Sequence, residues 1–267
     1  MKTMKIGVCG NLTGKNADGV EFDLLSAAKQ VGFDYIELPL SAVAGLGEAD
    51  YQALLKRVQA GGLPCEACNV FFPGTLRLTG PAFDPAATRA YLEKALARAA
   101  QLGVQVIVFG SAGARNVPDG FPPEQAYVQL TEMLRMAGDL AQPYGITIVI
   151  EPLNKAESNI LQTASEGLTL AKLAGHPNVK LLVDYFHMAK DGEDCGIIRT
   201  AREWVRHAHF ADPDGRAYPM EMKAHFREFT GALKDAGYSG RLSLEAGYKD
   251  FAAQAPVALA ILRELAG

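Results

Sequence analysis

The sequence predicts an α/β protein folded as a closed eight-stranded (β/α)8 TIM barrel, and three features predict it. Short apolar, β-branched runs recur at nearly even intervals, each is followed by a longer stretch of helical periodicity, and several of those stretches stop at a glycine just before the next apolar run. Strand-helix-strand units with short connections keep their strands parallel, and eight of them without a break in composition favour closure over an open sheet. The chain has 267 residues, and α/β barrels of about 250 residues routinely fold as one unit. Residues 1–267 are therefore expected to form a single domain.

In chain order the expected strands are 4–9, 33–38, 63–71, 104–109, 146–151, 179–184, 205–210 and 241–245. The expected helices are 22–31, 51–60, 85–102, 124–144, 167–174, 197–202, 225–236 and 251–265. Gly32, Gly103, Gly145 and Gly237 each follow a helical pattern, where a left-handed residue ends the helix and reverses the chain. The turn after the first strand, Cys9-Gly-Asn-Leu-Thr-Gly14, lacks the G-x-G-x-x-G pattern of dinucleotide sites, and no G-x-x-x-x-G-K-[ST] occurs anywhere. A doubly wound nucleotide-binding sheet is disfavoured accordingly. Segment 110–123, rich in glycine and proline, is either a lid or a permissive surface loop.

Apolar residues make up 49% of the chain and charged residues 21%, the balance of a globular protein with a sizeable core. A net charge of -4 offers no global positive field to a nucleic-acid backbone, so no nucleic-acid partner is expected. No apolar run approaches the roughly 20 residues needed to cross a bilayer. Met1-Lys-Thr-Met-Lys5 leads into a strand rather than a signal-peptide core, so the expected setting is cytoplasmic and without a membrane partner. Of the cysteines, Cys9, Cys65, Cys68 and Cys195, only Cys65-Glu-Ala-Cys68 has redox or zinc spacing. It falls on a strand, where side chains three apart point to opposite faces, so these thiols are expected to be buried and structural.

Active sites of such barrels gather at the carboxyl ends of the strands. The fifth ends Ile148-Val-Ile-Glu151, the sixth Leu182-Val-Asp184, the seventh His207-Ala-His209-Phe and the eighth Leu242-Ser-Leu-Glu245. Any one acid there could cap the next helix or pair with a base. Three acids converging at the ends of apolar strands would repel one another, whereas a divalent cation removes that repulsion. Glu151, Asp184, His209 and Glu245 are therefore expected to hold one metal ion. Their oxygen and imidazole donors suit Mn²⁺, and also Co²⁺ or Mg²⁺, better than a thiolate-seeking metal. His207 shares the face of His209 and reads as a packed histidine or a support for the site, while His176 and His225 read as surface residues.

The same residues resemble the xylose-isomerase-like TIM barrels (sugar phosphate isomerases and epimerases), and within them the ketose 3-epimerases typified by tagatose and psicose 3-epimerases. Glu151-Pro-Leu-Asn-Lys-Ala-Glu157 looks like the family's E-x-x-N-x-x-E, and Val183-Asp-Tyr-Phe-His187-Met like its D-x-x-H-M. His207-Ala-His209-Phe resembles its H-x-H strand, and Leu242-Ser-Leu-Glu245 its last glutamate. The resemblance implies that Glu151, Asp184, His209 and Glu245 bind metal, that Glu151 and Glu245 are catalytic, and that Glu157, His187 and Arg216 bind substrate. Two departures stand out: Arg216 follows His209 by seven residues where the family's arginine follows by six, and Glu245 continues Ala-Gly-Tyr248 where the epimerases carry proline and an aromatic residue.

The resemblance also implies a reaction, inversion of the hydroxyl-bearing carbon beside the carbonyl of a free ketose by two glutamates exchanging acid and base roles, with a homodimer or homotetramer as the assembly. The same barrel and ligands serve aldose-ketose isomerisation of the hydroxypyruvate isomerase type, and dehydration or β-elimination on keto-sugars and inososes. A related DNA-repair endonuclease carries more histidine ligands, and five histidines on an acidic chain argue against it. A non-catalytic sugar-binding subunit is the remaining alternative.

Overall fold

The computed structural model describes residues 3–267. Eight parallel strands close into a barrel: β1 (Lys5–Cys9), β2 (Tyr35–Pro39), β3 (Cys65–Asn69), β4 (Val106–Phe109), β5 (Thr147–Ile150), β6 (Val179–Asp184), β7 (Val205–Phe210) and β8 (Arg241–Leu244), with β1 pairing to both β2 and β8. Each overlaps its expected range. Around them lie α1 (Leu24–Val31), α2 (Glu48–Gly61), α3 (Pro85–Leu102), α4 (Pro123–Ala141), α5 (Ala164–Ala174), α6 (Gly196–Thr200), α7 (Ala224–Asp235) and α8 (Phe251–Ala266). Gly32, Gly103 and Gly145 cap their elements in the left-handed conformation, as their positions before strands predict. Pro143, which brings no amide hydrogen, sits in a 3-10 turn, Gln142–Tyr144, that ends the long fourth helix early.

Helices Leu40–Gly45, Ala112–Arg115 and Tyr185–Asp191, and a hairpin of Thr13–Lys15 with Glu21–Asp23, are additional. Each is too short for a helical or strand period to register in sequence. Segment 110–123 is fastened down rather than loose. The Thr79 hydroxyl donates to Asn116 O at 2.9 Å, Ser158 Oγ to Asn116 Oδ1 at 2.7 Å, and the Val117 amide to Asn159 Oδ1 at 2.9 Å.

Two apolar clusters result. One lies between strands and helices, and a small one fills the barrel itself with Tyr35, Ala67, Val106, Val108, Val149 and Leu182. Tyr35 crosses the interior and its hydroxyl meets Ser243 Oγ at 2.6 Å. That ring passes so close to β1 that a Cβ at Gly7 would stand 2.2 Å from it. Beneath, the buried Glu66 accepts from Lys5 Nζ at 2.6 Å and Arg241 Nε at 2.7 Å, closing the end of the barrel remote from the site.

Two expectations need correction. Cys65 and Cys68 do not face opposite ways: an extra residue at Glu66 shifts the β2–β3 register, with Ile36 opposite Cys65 but Glu37 opposite Ala67, and a bulge of this kind resets the alternation. Both thiols lie buried in the outer cluster, where its interaction with the Cys65 sulfur and burial push the Cys68 thiol well up. His176 is not a surface residue, because its side chain is 11% exposed beside Asp139 and its Nδ1 accepts the Asn178 amide at 3.1 Å. His225 is exposed. Among the described residues, no helix is long and apolar enough to cross a membrane.

Because the barrel interior is close-packed, Gly7→Ala should lower stability by about 1–3 kcal/mol, the usual cost of overpacking. Equilibrium denaturation would show a reduced midpoint, and a midpoint unchanged from the parent would mean that Tyr35 moves aside freely.

Candidate metal centre and active site

The site is assembled by backbone that is still part of the ladder. The Glu151 amide donates to Phe109 O at 3.1 Å and the Glu245 amide to Phe210 O at 3.0 Å, so each glutamate is held one residue past its strand. Asp184 and His209 are register partners on β6 and β7, and Ser243 pairs with His209 across β7 and β8. Glu151, Asp184, His209 and Glu245 consequently bring one donor atom each within 4.8 Å of one another. Glu151, Asp184 and His209 are buried, and the Glu245 side chain is 19% exposed. Gly110, following β4, leaves room for the cluster: a Cβ there would stand 1.8 Å from Glu151 Oε2.

These donors fit a divalent cation. Asp184 spends Oδ1 on the Phe186 amide at 2.7 Å, capping the helix Tyr185–Asp191, while its Oδ2 is buried with no hydrogen-bond partner. Helix capping thus accounts for half of this carboxylate and leaves the half that faces the site. Burial and the neighbouring Glu245 push the Glu151 carboxyl up. Burial acts the same way on Glu245, but His209 and Arg216 outweigh it and hold that group at about 2. The two carboxyls are thus displaced in opposite directions from the usual range.

Three contributors were not read from the sequence. Glu37, on β2, is completely buried and accepts from His209 Nε2 at 3.0 Å, His207 Nε2 at 2.9 Å and Ser243 Oγ at 2.5 Å. A carboxylate can only accept, so the His209 Nε2 proton is committed to it. The Nδ1 then points at Glu151 Oε1, 3.1 Å away, and Glu245 Oε2, 3.4 Å away. Burial alone would raise the Glu37 carboxyl, yet the two histidines hold it well below the usual range. His207 is therefore a packed histidine tied to the site through Glu37. The sequence signal was an acid inside the apolar run Tyr35-Ile-Glu37-Leu38. Asn69 donates to Glu245 Oε1 at 2.7 Å, and the buried Arg115 donates to Phe109 O at 2.8 Å. Cys9 also lies near Glu37 and His209, but burial and Glu37 push its thiol well up, so the neutral form dominates.

The residues matched to substrate binding converge beside this set. Asn154 Nδ2 donates to Glu157 Oε1 at 3.0 Å and lies 2.8 Å from His187 Nδ1, which also accepts the Asn154 amide at 3.2 Å. The His187 proton is then on Nε2, which is buried without a partner 3.5 Å from Asp184 Oδ2. Arg216 reaches the site despite its longer spacing. A turn closed by Asp212 and Ala217 carries Gly215 and Arg216 at φ 80° and 49°. From there Nη2 donates to Glu245 Oε2 at 2.7 Å, and Nη1 lies 3.4 Å from Glu157 Oε2. The Ala-Gly-Tyr248 departure serves the same turn, since the Gly247 amide donates to Arg216 O at 2.8 Å and Tyr248 packs on Tyr218 at 5.3 Å between ring centres.

Residues 25–265 match the family described as xylose isomerase-like TIM barrel. The chain belongs to that family. It is 29% identical to D-psicose 3-epimerase of Agrobacterium fabrum, over 81% of this chain and 75% of that one. It is 26% identical to a putative hydroxypyruvate isomerase of Streptomyces coelicolor, over 82% and 83%. A crystal structure of D-psicose 3-epimerase superimposes with a TM-score of 0.83 at 24% identity, covering 99% of this chain and 100% of that one.

Loss of a hydrogen-bond partner behind a metal-binding histidine typically costs about 10–100-fold in metal affinity. Glu37→Gln should weaken Mn²⁺ binding by that order in calorimetric titration while the far-ultraviolet circular dichroism stays that of the parent. Affinity equal to the parent would mean that His209 needs no fixed acceptor.

Proposed function

We propose that this protein is a divalent-metal-dependent sugar epimerase that inverts the hydroxyl-bearing carbon next to the carbonyl of a free ketose. One observation carries the reading most: Glu151 and Glu245, from strands three places apart in the barrel, bring donor atoms together in one four-donor cluster with Asp184 and His209. Inversion needs a proton taken from one face of a carbon and another returned to the other face, which calls for two separately held acid-base groups.

Glu151, Asp184, His209 and Glu245 would hold the cation, with Mn²⁺ preferred and Co²⁺ or Mg²⁺ as substitutes. Bound there, the cation supplies Lewis-acid stabilisation of the charge that develops on the substrate's carbonyl oxygen. Glu245, hydrogen-bonded by Arg216 and Asn69, would take a proton from one face of the carbon. Glu151 would return one to the other face, and the roles reverse for the opposite direction. His187, with its proton on Nε2, offers a donor to a substrate oxygen, while Glu157 offers an acceptor to a hydroxyl, and Arg216 bridges Glu157 and Glu245. Most of these groups are buried, which strengthens each contact relative to water.

A second reading, aldose-ketose isomerisation, is favoured by the similarity to the putative hydroxypyruvate isomerase. It uses the same groups but moves the proton between adjacent carbons. Identification of products from free ketoses and aldoses separates the two, since only the epimerase keeps the carbonyl in place.

Glu151→Gln and Glu245→Gln should each lower epimerisation by at least about a hundredfold, with the fold retained, and each should lose exchange in deuterated water of the carbon-bound proton of the epimer that the replaced glutamate deprotonates. Undiminished exchange in both would sink the two-glutamate scheme. Chelation should abolish activity, and stepwise return of Mn²⁺, Co²⁺ or Mg²⁺ should restore it. Full turnover after verified metal removal would refute the metal requirement.

A further inference from the structure

The cleft beside Glu245 and Arg216 does not end at the reacting groups. Toward β1, β2 and β3 it forms a hollow of about 410 Å³ bounded by Cys9, Asn11, Pro39 and Asn69. A second hollow of about 390 Å³ also uses Asn11 and Pro39 and runs on outward between the segment after β1, the helix Leu40–Gly45 and the first turns of α2. The two are neighbours that share Asn11 and Pro39 in their walls, and both lie by the carboxyl ends of β1 and β2, the same end as the site.

Their chemistry differs. The inner hollow carries the polar groups already described, whereas Leu12, Leu38, Val43, Leu46 and Leu54 line the outer one. Its charged residues are Asp50 and Arg57. Arg57 is paired with Asp23 at 2.9 Å and donates to Leu12 O at 3.2 Å, and Asp50 would repel a phosphate. A monosaccharide bound by the inner groups leaves this apolar extension unfilled, since either hollow alone falls in the roughly 300–1,000 Å³ range of small-ligand sites.

We infer that the preferred substrate is a ketose bearing an uncharged apolar substituent, an alkyl or aryl group attached at the end of the sugar away from Glu157, His187 and Arg216, which lies in the outer hollow. The inference rests on the epimerase reading of the inner site. An apolar group moved from water into such a groove contributes binding roughly in proportion to the area it covers, while the sugar end stays with Glu151 and Glu245.

The test compares D-fructose with 6-O-benzyl-D-fructose on the Mn²⁺-loaded enzyme, and on Ala42→Trp and Ala53→Trp. Both alanines are exposed on the outer wall and neither bounds the inner hollow. The parent should favour the benzyl ether by at least about tenfold in kcat/KM, through KM, in line with the discrimination an apolar pocket achieves. Each tryptophan should erase that preference and leave turnover of D-fructose unchanged. Equal kcat/KM for the two sugars in the parent, or a preference that survives both tryptophans, overturns the inference. So does an equal loss on both sugars, or a change of oligomeric state in the variants, which would mark the groove as a contact between copies. Calorimetric binding of the benzyl ether to parent and variants is read alongside. If neither sugar turns over but the parent binds the ether tenfold more tightly than the variants, the groove stands and the epimerase reading fails. Binding that does not distinguish them overturns the groove.

Discussion

The site depends on the buried carboxylate of Glu37. Removing an ion from water costs several kcal/mol even after the surroundings relax, and a hydrogen bond to a charged group offsets about 1.5–3 kcal/mol. Three such bonds, from His207, His209 and Ser243, are what make an anion tolerable at a place with no solvent. In return the anion links β2, β7 and β8 inside the barrel and fixes which nitrogen of His209 faces the other donors. The Tyr35 hydroxyl extends the chain through Ser243, so the geometry of the centre and the packing of the interior are one arrangement.

Above Glu37 the placement of each group follows from the ladder. Because the amides of Glu151 and Glu245 continue the strand pairing, these side chains start from positions as fixed as any core residue, which is the condition for holding several like charges close together. The two glutamates then diverge through their neighbours: both are shielded from water and both face His209 Nδ1, but Glu245 also has Arg216 and Asn69. The loop after β7, with two successive left-handed residues, brings in the arginine that makes this difference.

Much of this was legible in sequence, for identifiable reasons. The strands announced themselves because each is buried on both faces and therefore reads as an apolar run. The acids at the ends of β5, β6 and β8 stood out because they interrupt or terminate such runs. Glu37 did not, although an acid is equally costly there, because it sits in the middle of a short apolar strand rather than at its end. Asn69 and Arg115 gave no signal, since an amide or a guanidinium in a loop-bordering position is ordinary until its partner is known. The short helices and the hairpin were invisible because three to seven residues do not complete a recognisable period.

The register shifts in β3 and β7 have a further effect. In a regular strand Val205, His207 and His209 would all share one face, as would Cys65, Ala67 and Asn69. The extra residues Arg206 and Glu66 break that parity, so Val205 and Cys65 join the outer cluster while His207, His209 and Ala67 turn inward. The lower half of each strand can then answer to helix packing and the upper half to chemistry, with neither half constraining the alternation of the other. A lineage carrying these bulges can remodel the inward-facing positions of the site without disturbing the layer of helices beneath it.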